Sequence, residues 1–330
     1  MNDSVLSRMI RGEKICLDNF DYPEDVYEFI DYYEMNLYSY TSNPCILDKI
    51  NQLQRINSDN IKCFSNEISR ICCELEKNSV EYCILVGIPF ALRYHKKPFI
   101  RLQEDIDFFI DIDDMYEISR IMKNLHYNMW NYDEKKKHIT FINEGKTGCD
   151  TSRNGRCAVK FYKRLSDPQF YDVKFRDVKK YIEEYQGYKV LSPEMTFAHL
   201  LMHAHYYDFH PKILCDIFAI VRSGIIDKVK LRNTIVEFRL ERLNSVVMGI
   251  LERVGVFKEN GRIGNDISFI CDILSSEVYW TKIFVRLNRY DLTLFRCYVY
   301  DPIKYKQIYQ SVVNENMERR VSAMRSEFNL

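Results

Sequence analysis

Residues 101–114 read RLQEDIDFFIDIDD and place acids within an apolar strand pattern. Side chains of a strand alternate between its two faces, so a strand over about 103–110 directs Ile106 and Phe108 to one face. Asp105 and Asp107 are then expected together on the other face. The remaining acids of the cluster are interpreted as the strand end and the cap of a following helix: Asp111, Asp113 and Asp114.

Two neighbouring carboxylates repel each other, and burying both without a partner is unfavourable. Mg²⁺ prefers oxygen ligands and takes one or two carboxylates together with phosphate oxygens of a substrate. Asp105 and Asp107 therefore predict one or two Mg²⁺ ions and a phosphate-bearing substrate. The motif is short, and it leaves open an acidic strand end in solvent that binds no ligand.

The segment before the acids adds features suited to phosphate. The apolar run YCILVG at 82–87 predicts a buried strand that ends at Gly87, and a short helix is predicted after it. The first N–H groups of a helix are free to bind phosphate. Arg101 lies just upstream of the acids and can bind phosphate through two N–H groups.

Composition and charge narrow the class of protein. The 330 residues include 47 basic and 47 acidic side chains, so the net charge is zero and there is no strong nucleic-acid signal. No membrane partner is expected, because no apolar run approaches the ~18 residues of a membrane span. The 11 cysteines lack metal-site spacing, and the polar N-terminus MNDSVLSRMIRGEK lacks the apolar centre of a signal peptide. Reduced thiols and a cytoplasmic location are the simplest interpretation.

Periodicity divides the chain into three parts. Residues 1–60 predict a helical lead-in with a break at Ser42-Asn43-Pro44, and 61–188 predict an α/β core. Residues 189–330 predict a helical C-terminal domain whose first helix starts at Ser192 and Pro193. The core contains a helix over 61–78 and alternating strands over 137–143 and 156–162. We therefore expect an α+β fold with a mixed sheet flanked by helices.

The segment CILVGIPFALRYHKKPFIRLQEDIDFFI at 83–110 resembles the core of the polymerase-beta-type nucleotidyltransferase superfamily. It is most similar to a family of uncharacterised bacterial nucleotidyltransferases, which carry a strand ending in Gly, a short helix, an Arg and then D-[IL]-D. Three later segments also resemble that family: NLHY at 124–127, VKFYKRL at 159–165 and SPEMTFAHLLMHAHYYDFHPKILCDIFAIV at 192–221. The resemblance spans roughly 80–225 and implies a nucleotidyltransferase-like sheet.

The resemblance also implies a reaction and a set of roles. Asp105 and Asp107 would bind Mg²⁺, while Gly87 and Ile88 at the helix start would bind the nucleoside triphosphate (NTP), such as ATP, with Arg101 assisting. An acceptor hydroxyl would attack the α-phosphorus, and pyrophosphate would leave. The acceptor (a small molecule, a peptide or a protein), the nucleobase and the oligomeric state are not readable from the sequence.

The chain departs from the family pattern at several positions. The family places a third acid on a later strand, where this chain has Lys160, and it often has Lys and Ser on either side of the turn glycine, where this chain has Val86 and Ile88. Asp150, in a preceding loop, is a candidate substitute. Two alternatives to an active enzyme therefore stay open: a catalytically degenerate fold that binds nucleotide or regulates, and a helical scaffold without a ligand.

His199 and His203 lie four residues apart and share a helix face, as zinc ligands would. Leu200 stands where a metalloprotease motif has Glu, and no third ligand is evident. We interpret these histidines as hydrogen-bonded groups at a domain interface, with Asp216 as a candidate partner.

Overall fold

The computed structural model describes the chain in segments: 8–9, 11–24, 27, 39–98, 101, 103, 105–111, 115–133, 138–144, 156–166, 171–206 and 211–253. Three predictions lie outside these residues: the helix cap at Asp113 or Asp114, the substitute acid Asp150, and the helices expected after residue 253.

The described residues of the N-terminal segment include two short strands in addition to helical structure. Two short strands, β1 (Ile15–Cys16) and β2 (Ser39–Tyr40), pair in parallel, and a single 3₁₀ turn follows β1 at Leu17–Asn19. Helix α1 then spans Pro44–Lys77 as one element of 34 residues. It therefore continues through residue 60, where the sequence predicts the lead-in to end.

Helix α1 begins where the sequence predicts a break. The side chain of Asn43 accepts hydrogen bonds from the N–H groups of Cys45 and Ile46, and Pro44 occupies the first helical position. Asn is a favourable N-cap, and proline has no N–H that would be left unpaired there. These local preferences fix the start of the helix.

A seven-stranded mixed sheet forms the centre of the protein, in the order β5-β6-β7-β4-β3-β9-β8. The strands are β3 (Tyr82–Ile84), β4 (Asp105–Ile110), β5 (Asn128–Asp133), β6 (His138–Glu144), β7 (Arg156–Tyr162), β8 (Ile182–Tyr185) and β9 (Tyr188–Leu191). The pairs β4–β7 and β3–β9 are parallel, and the other pairs are antiparallel. The predicted mixed α+β fold is confirmed, and β4 is the central strand of the sheet.

Helices cover both faces of the sheet. They are α2 (Gly87–Tyr94), α3 (Met115–Asn124), α4 (Phe175–Val178), α5 (Pro193–Tyr206), α6 (Pro211–Ser223), α7 (Lys228–Glu237) and α8 (Glu241–Arg253). Phe64 of α1 and Ile118 of α3 share one buried cluster with Ile106 and Phe108. A second cluster, on the other face, joins Phe109 to helices α5–α8. None of the described helices has both the length and the apolar character needed to cross a bilayer.

The state of the cysteines agrees with the sequence interpretation in part. Six described cysteines are free thiols: Cys16, Cys45, Cys72, Cys73, Cys83 and Cys215. Cys63 is disulfide-bonded. The prediction of reduced thiols is therefore confirmed at those six positions and wrong at Cys63.

Candidate active site

The acids of the central strand share one face, as the sequence predicts. Ile106 and Phe108 are buried against α1 and α3, with exposed fractions of 2% and 0%. Asp105 and Asp107 alternate with them and lie on the opposite face, where both are half-buried. The two carboxylates are therefore neighbours at the start of β4. Phe109, the next residue on the same face, is already part of the apolar core on that side of the sheet.

Lys160 lies directly beside this pair. Strands β4 and β7 are parallel, with Asp107 opposite Lys160, so the lysine projects from the same face as the acids. Its Nζ donates to Oδ2 of Asp105, and about a third of each side chain is exposed. The position where the family pattern has a third acid thus supplies a positive charge that partly neutralises the pair.

Asp107 has a more restricted environment than Asp105. Among the residues that the structure describes, Oδ1 of Asp107 is buried and has no hydrogen-bond partner. Burial, together with repulsion from Asp105, raises the pKa of Asp107 from 3.8 to about 7, although Lys160 and a hydrogen bond from Tyr162 oppose the shift. The charged form of Asp107 is therefore poorly stabilised by the protein and would be stabilised by an added cation.

We expect the metal-free protein to lose stability as the pH rises from about 4 to about 7. Over that range folded Asp107 keeps a proton that the unfolded chain has released, so the folded state binds more protons and stability falls with pH. The contribution is roughly 1–3 kcal/mol, less than the full shift would give, because solvent reaches the site. Urea unfolding at several pH values measures it. In Asp107→Asn this component is absent, and an identical pH profile in that variant would contradict the assignment.

A glycine turn lies beside the acids. The N–H of Leu85 donates to the backbone oxygen of Asp107 at 2.9 Å, so the end of β3 is bonded to the strand that carries the acids. Gly87 then starts α2 with φ +68°, a backbone conformation that residues other than glycine rarely adopt. Ile88 is 1% exposed and packs in the core, so it can contribute only its backbone N–H to a ligand. The predicted strand, glycine and short helix are confirmed.

Arg101 makes contacts that the sequence does not reveal. Its Nε and Nη2 donate to the two carboxylate oxygens of Asp216 on α6 at 2.9 and 2.8 Å, and its Nη1 donates to Gln103 at 3.0 Å. The side chains of Arg101 and Asp216 are only 11% and 4% exposed. The guanidinium therefore joins the segment before β4 to the C-terminal helices, and its predicted contact with phosphate stays a prediction.

The side chain of Asn57 also holds the segment before β4, through two hydrogen bonds. Asn57 of α1 donates from its side-chain amide to the backbone oxygen of Arg101 at 2.7 Å. Its Oδ1 accepts from the N–H of Gln103 at 3.1 Å. Asn57 is 1% exposed, and Gln103 is 3% exposed. These buried polar contacts fix the chain where it enters the acidic strand.

His199 of α5 is buried, His203 is partly exposed, and both imidazoles have a pKa below the usual value for histidine. Burial lowers the pKa of His199 to about 4, and burial together with His199 keeps the pKa of His203 well below its usual value. Their rings are in edge contact at 5.5 Å between centroids. Nδ1 of His199 has no partner among the described residues and lies beside a cavity of about 20 Å³, which has room for one water molecule. His95, at 3.7 Å from Asp216 Oδ1, approaches that carboxylate more directly.

Two carboxylates on one face form a donor set that fits Mg²⁺, and one of their oxygens has no hydrogen-bond partner within the described part of the chain. This ion keeps several water molecules and needs only one or two protein carboxylates when substrate phosphates complete its coordination. The described residues contain no group of three or more side chains that could hold a metal ion. Asp105 and Asp107 therefore fit an ion that arrives with a phosphate-bearing substrate better than they fit a permanently bound ion.

The mixed sheet, the glycine turn and the paired aspartates are consistent with a nucleotidyltransferase. The chain belongs to the family described as "uncharacterised nucleotidyltransferase", which matches residues 38–254. The match extends beyond the resemblance over roughly 80–225 at both ends, and it includes β2, α1 and all of α8. No curated protein matches the chain. Membership supports nucleotidyl transfer as the general function.

Proposed function

We propose that the protein transfers a nucleoside monophosphate from an NTP to a hydroxyl acceptor in a Mg²⁺-dependent reaction of the polymerase-beta type. The observation that carries the proposal is the pair Asp105 and Asp107 on one face beside the glycine turn, with a buried oxygen of Asp107 that has no hydrogen-bond partner among the described residues. A buried negative charge without a partner is unfavourable, which supports a cationic ligand at this site.

The residues of the site have distinct roles in this proposal. Asp105 and Asp107 would hold the ion, which when bound would neutralise phosphate oxygens and favour ionisation of the attacking hydroxyl. The first N–H groups of α2, at Gly87 and Ile88, would bind phosphate oxygens of the NTP. Lys160 would hold Asp105 in place and add a positive charge near the phosphates. Arg101, paired with Asp216, would keep β4 in register with the helices.

In the reaction the acceptor oxygen bonds to the α-phosphorus, and the bond from that phosphorus to the pyrophosphate oxygen breaks. The hydroxyl proton passes to solvent water, and pyrophosphate leaves with the electron pair of the broken bond. Such transfers depend mainly on positioning and on stabilisation of the charge that develops on phosphate. The rigid central strand and the short glycine turn meet that requirement.

The direct experiment uses the purified chain, each α-labelled NTP and a mixture of small-molecule, peptide and protein acceptors. We expect Mg²⁺-dependent transfer of label, with none when a chelator replaces the metal. Absence of transfer with every nucleotide would contradict the enzymatic proposal. ATP as the nucleotide, the class of acceptor, a bacterial origin and a cytoplasmic location stay predictions from the sequence.

The contact of Lys160 with Asp105 favours a second candidate function, a fold that binds nucleotide without turning it over. In that case the ammonium group takes part of the role of a metal ion, and the triphosphate binds to the remaining positive charge. Calorimetry that shows NTP binding, combined with no transfer of label, would support this function over the first.

We expect Lys160→Glu to increase Mg²⁺ affinity by roughly tenfold, because it removes a cation beside the pair and adds a third carboxylate to it. Calorimetric titration with Mg²⁺ measures the change. Lys163→Glu is the matched control, since it makes the same charge change one residue beyond β7, where Nζ lies 5.7 Å from the Tyr132 ring. Equal affinities for the wild type and Lys160→Glu would argue against Lys160 as a neighbour of the acids.

A further inference from the structure

A cavity of about 640 Å³ lies at the other end of α2, away from the acids. The residues that follow the helix form one wall, the C-terminal half of α6 forms the second, and the N-terminal segment around Arg11 and Gly12 forms the third. The volume falls in the range of small-molecule sites, which is roughly 300–1,000 Å³. It is large enough for a ligand of nucleotide size.

Positive side chains dominate the wall of this cavity. Five of the residues that line it are permanent cations, and none of the described residues that line it is Asp or Glu. The cations are Arg11, Arg93, Lys96, Lys97 and Arg222. Because the whole chain has zero net charge, this is a local concentration of positive charge and not a general property of the surface.

The carboxylates that balance some of these cations lie outside the cavity. Arg11 pairs with Glu13 and Arg93 pairs with Glu183, each at 2.6 Å, and both acids are about 40% exposed. Arg222 donates to the backbone oxygen of Arg11 at 2.9 Å, which holds the Arg222 guanidinium against the N-terminal segment. Two ion pairs and one hydrogen bond to the backbone thus hold the three arginines in place, as a preorganised anion site requires.

Part of the cavity lining is apolar. It includes Met9, Tyr94, Phe218 and Ile225, so it offers an aromatic and aliphatic surface next to the cations. A charged group alone would not use this surface. The combination fits a ligand with several negative charges attached to an apolar or ring-shaped body, and arginine is the side chain best suited to phosphate oxygens.

The cavity is separate from the paired aspartates. Gly87 begins α2 beside the acids, whereas Tyr94 ends it at the cavity, and a helix of eight residues spans roughly 12 Å. Asp216 lies behind the wall at His95, where it is 4% exposed and paired with Arg101. A ligand in the cavity would therefore meet the lysines and arginines and not that buried carboxylate.

We propose that this cavity binds a phosphorylated small molecule with two or more negative charges. The proposal rests on the shape and charge of the cavity, and it does not depend on nucleotidyl transfer at the aspartates. The ligand is defined here by its chemistry, an apolar body carrying phosphate groups.

The test is calorimetric titration of the full chain with sodium tripolyphosphate in the presence of a chelator. The chelator removes any Mg²⁺-dependent binding at the paired aspartates, and the cavity variants distinguish binding in the cavity from binding beside Lys160. We expect one binding site per chain, with an affinity that falls as salt is added. Lys96→Ala/Lys97→Ala and, separately, Arg222→Gln should each weaken binding at least tenfold.

The matched control is Lys62→Ala/Lys123→Ala, which removes two exposed lysines from α1 and α3 on the opposite face of the sheet. It should change the affinity less than twofold. The proposal is overturned if the probe does not bind, or if the control weakens binding as much as the cavity variants do. It is equally overturned if neither cavity variant weakens binding, because the anion would then bind elsewhere.

Discussion

Replacing Asp107 with asparagine is expected to reduce nucleotidyl transfer by roughly 10²–10³-fold while leaving the protein folded. Asparagine keeps the shape of the side chain but removes the negative charge that a cation requires. The folded state should be as stable as the wild type at pH 8 or more stable, because a buried and poorly compensated charge is gone. Initial rates with α-labelled NTP and urea unfolding measure the two effects.

The control for Asp107→Asn is Asp111→Asn, which makes the same chemical change directly after the end of β4. It should retain transfer within a few-fold of the wild type. If Asp107→Asn transfers label as well as the control does, the paired aspartates are not the catalytic centre, whatever else the protein binds.

Replacing Asp216 with alanine is expected to destabilise the protein by about 3–5 kcal/mol, because it leaves the Arg101 guanidinium buried without its carboxylate. The carboxylate is held in its charged form: burial raises the pKa of Asp216, but Arg101 and His95 outweigh burial and keep it below its ordinary range. Urea unfolding at neutral pH measures the loss. Because Arg101 adjoins the acidic strand, transfer activity should fall as well.

Two control variants show whether the stability lost in Asp216→Ala comes from the unpaired charge of Arg101. Arg101→Met/Asp216→Leu removes both charges and should lose much less stability than Asp216→Ala, since no buried charge remains unpaired. Glu74→Ala removes an exposed partner of Lys77 and should have little effect. If Asp216→Ala unfolds at the same urea concentration as the wild type, this ion pair does not support the fold.

The sequence alone predicts those parts of the fold and of the candidate site that depend on a few adjacent residues. The alternation at 105–108 predicts which side chains share a face of β4, and the structure places Asp105 and Asp107 together. The glycine after an apolar run predicts the turn at Gly87, and Ser192 followed by Pro193 predicts the start of α5. In each case a few adjacent residues carry the whole physical reason, so no tertiary information is needed.

Contacts between distant residues could not be predicted in the same way. Arg101 and Asp216 are 115 positions apart, and the sequence around either residue contains no signal that it pairs with the other. The cavity of cations draws on three segments that meet only in the folded protein. Lys160 is an intermediate case, because resemblance to a family marked the position but only the pairing of β4 with β7 shows that its ammonium group reaches Asp105.

The length of helix α1 restricts how the protein can be shortened. Its first turns bury Ile46 and Ile50 in the cluster shared with the C-terminal helices, and its last turns bury Phe64 and Leu75 under the sheet. A truncation at residue 60 would therefore cut a continuous helix that packs in both hydrophobic clusters. The cluster of the C-terminal helices would lose the contacts of Ile46 and Ile50. The N-terminal residues of α1 are part of the scaffold of the sheet that carries Asp105 and Asp107 and cannot be treated as a dispensable extension.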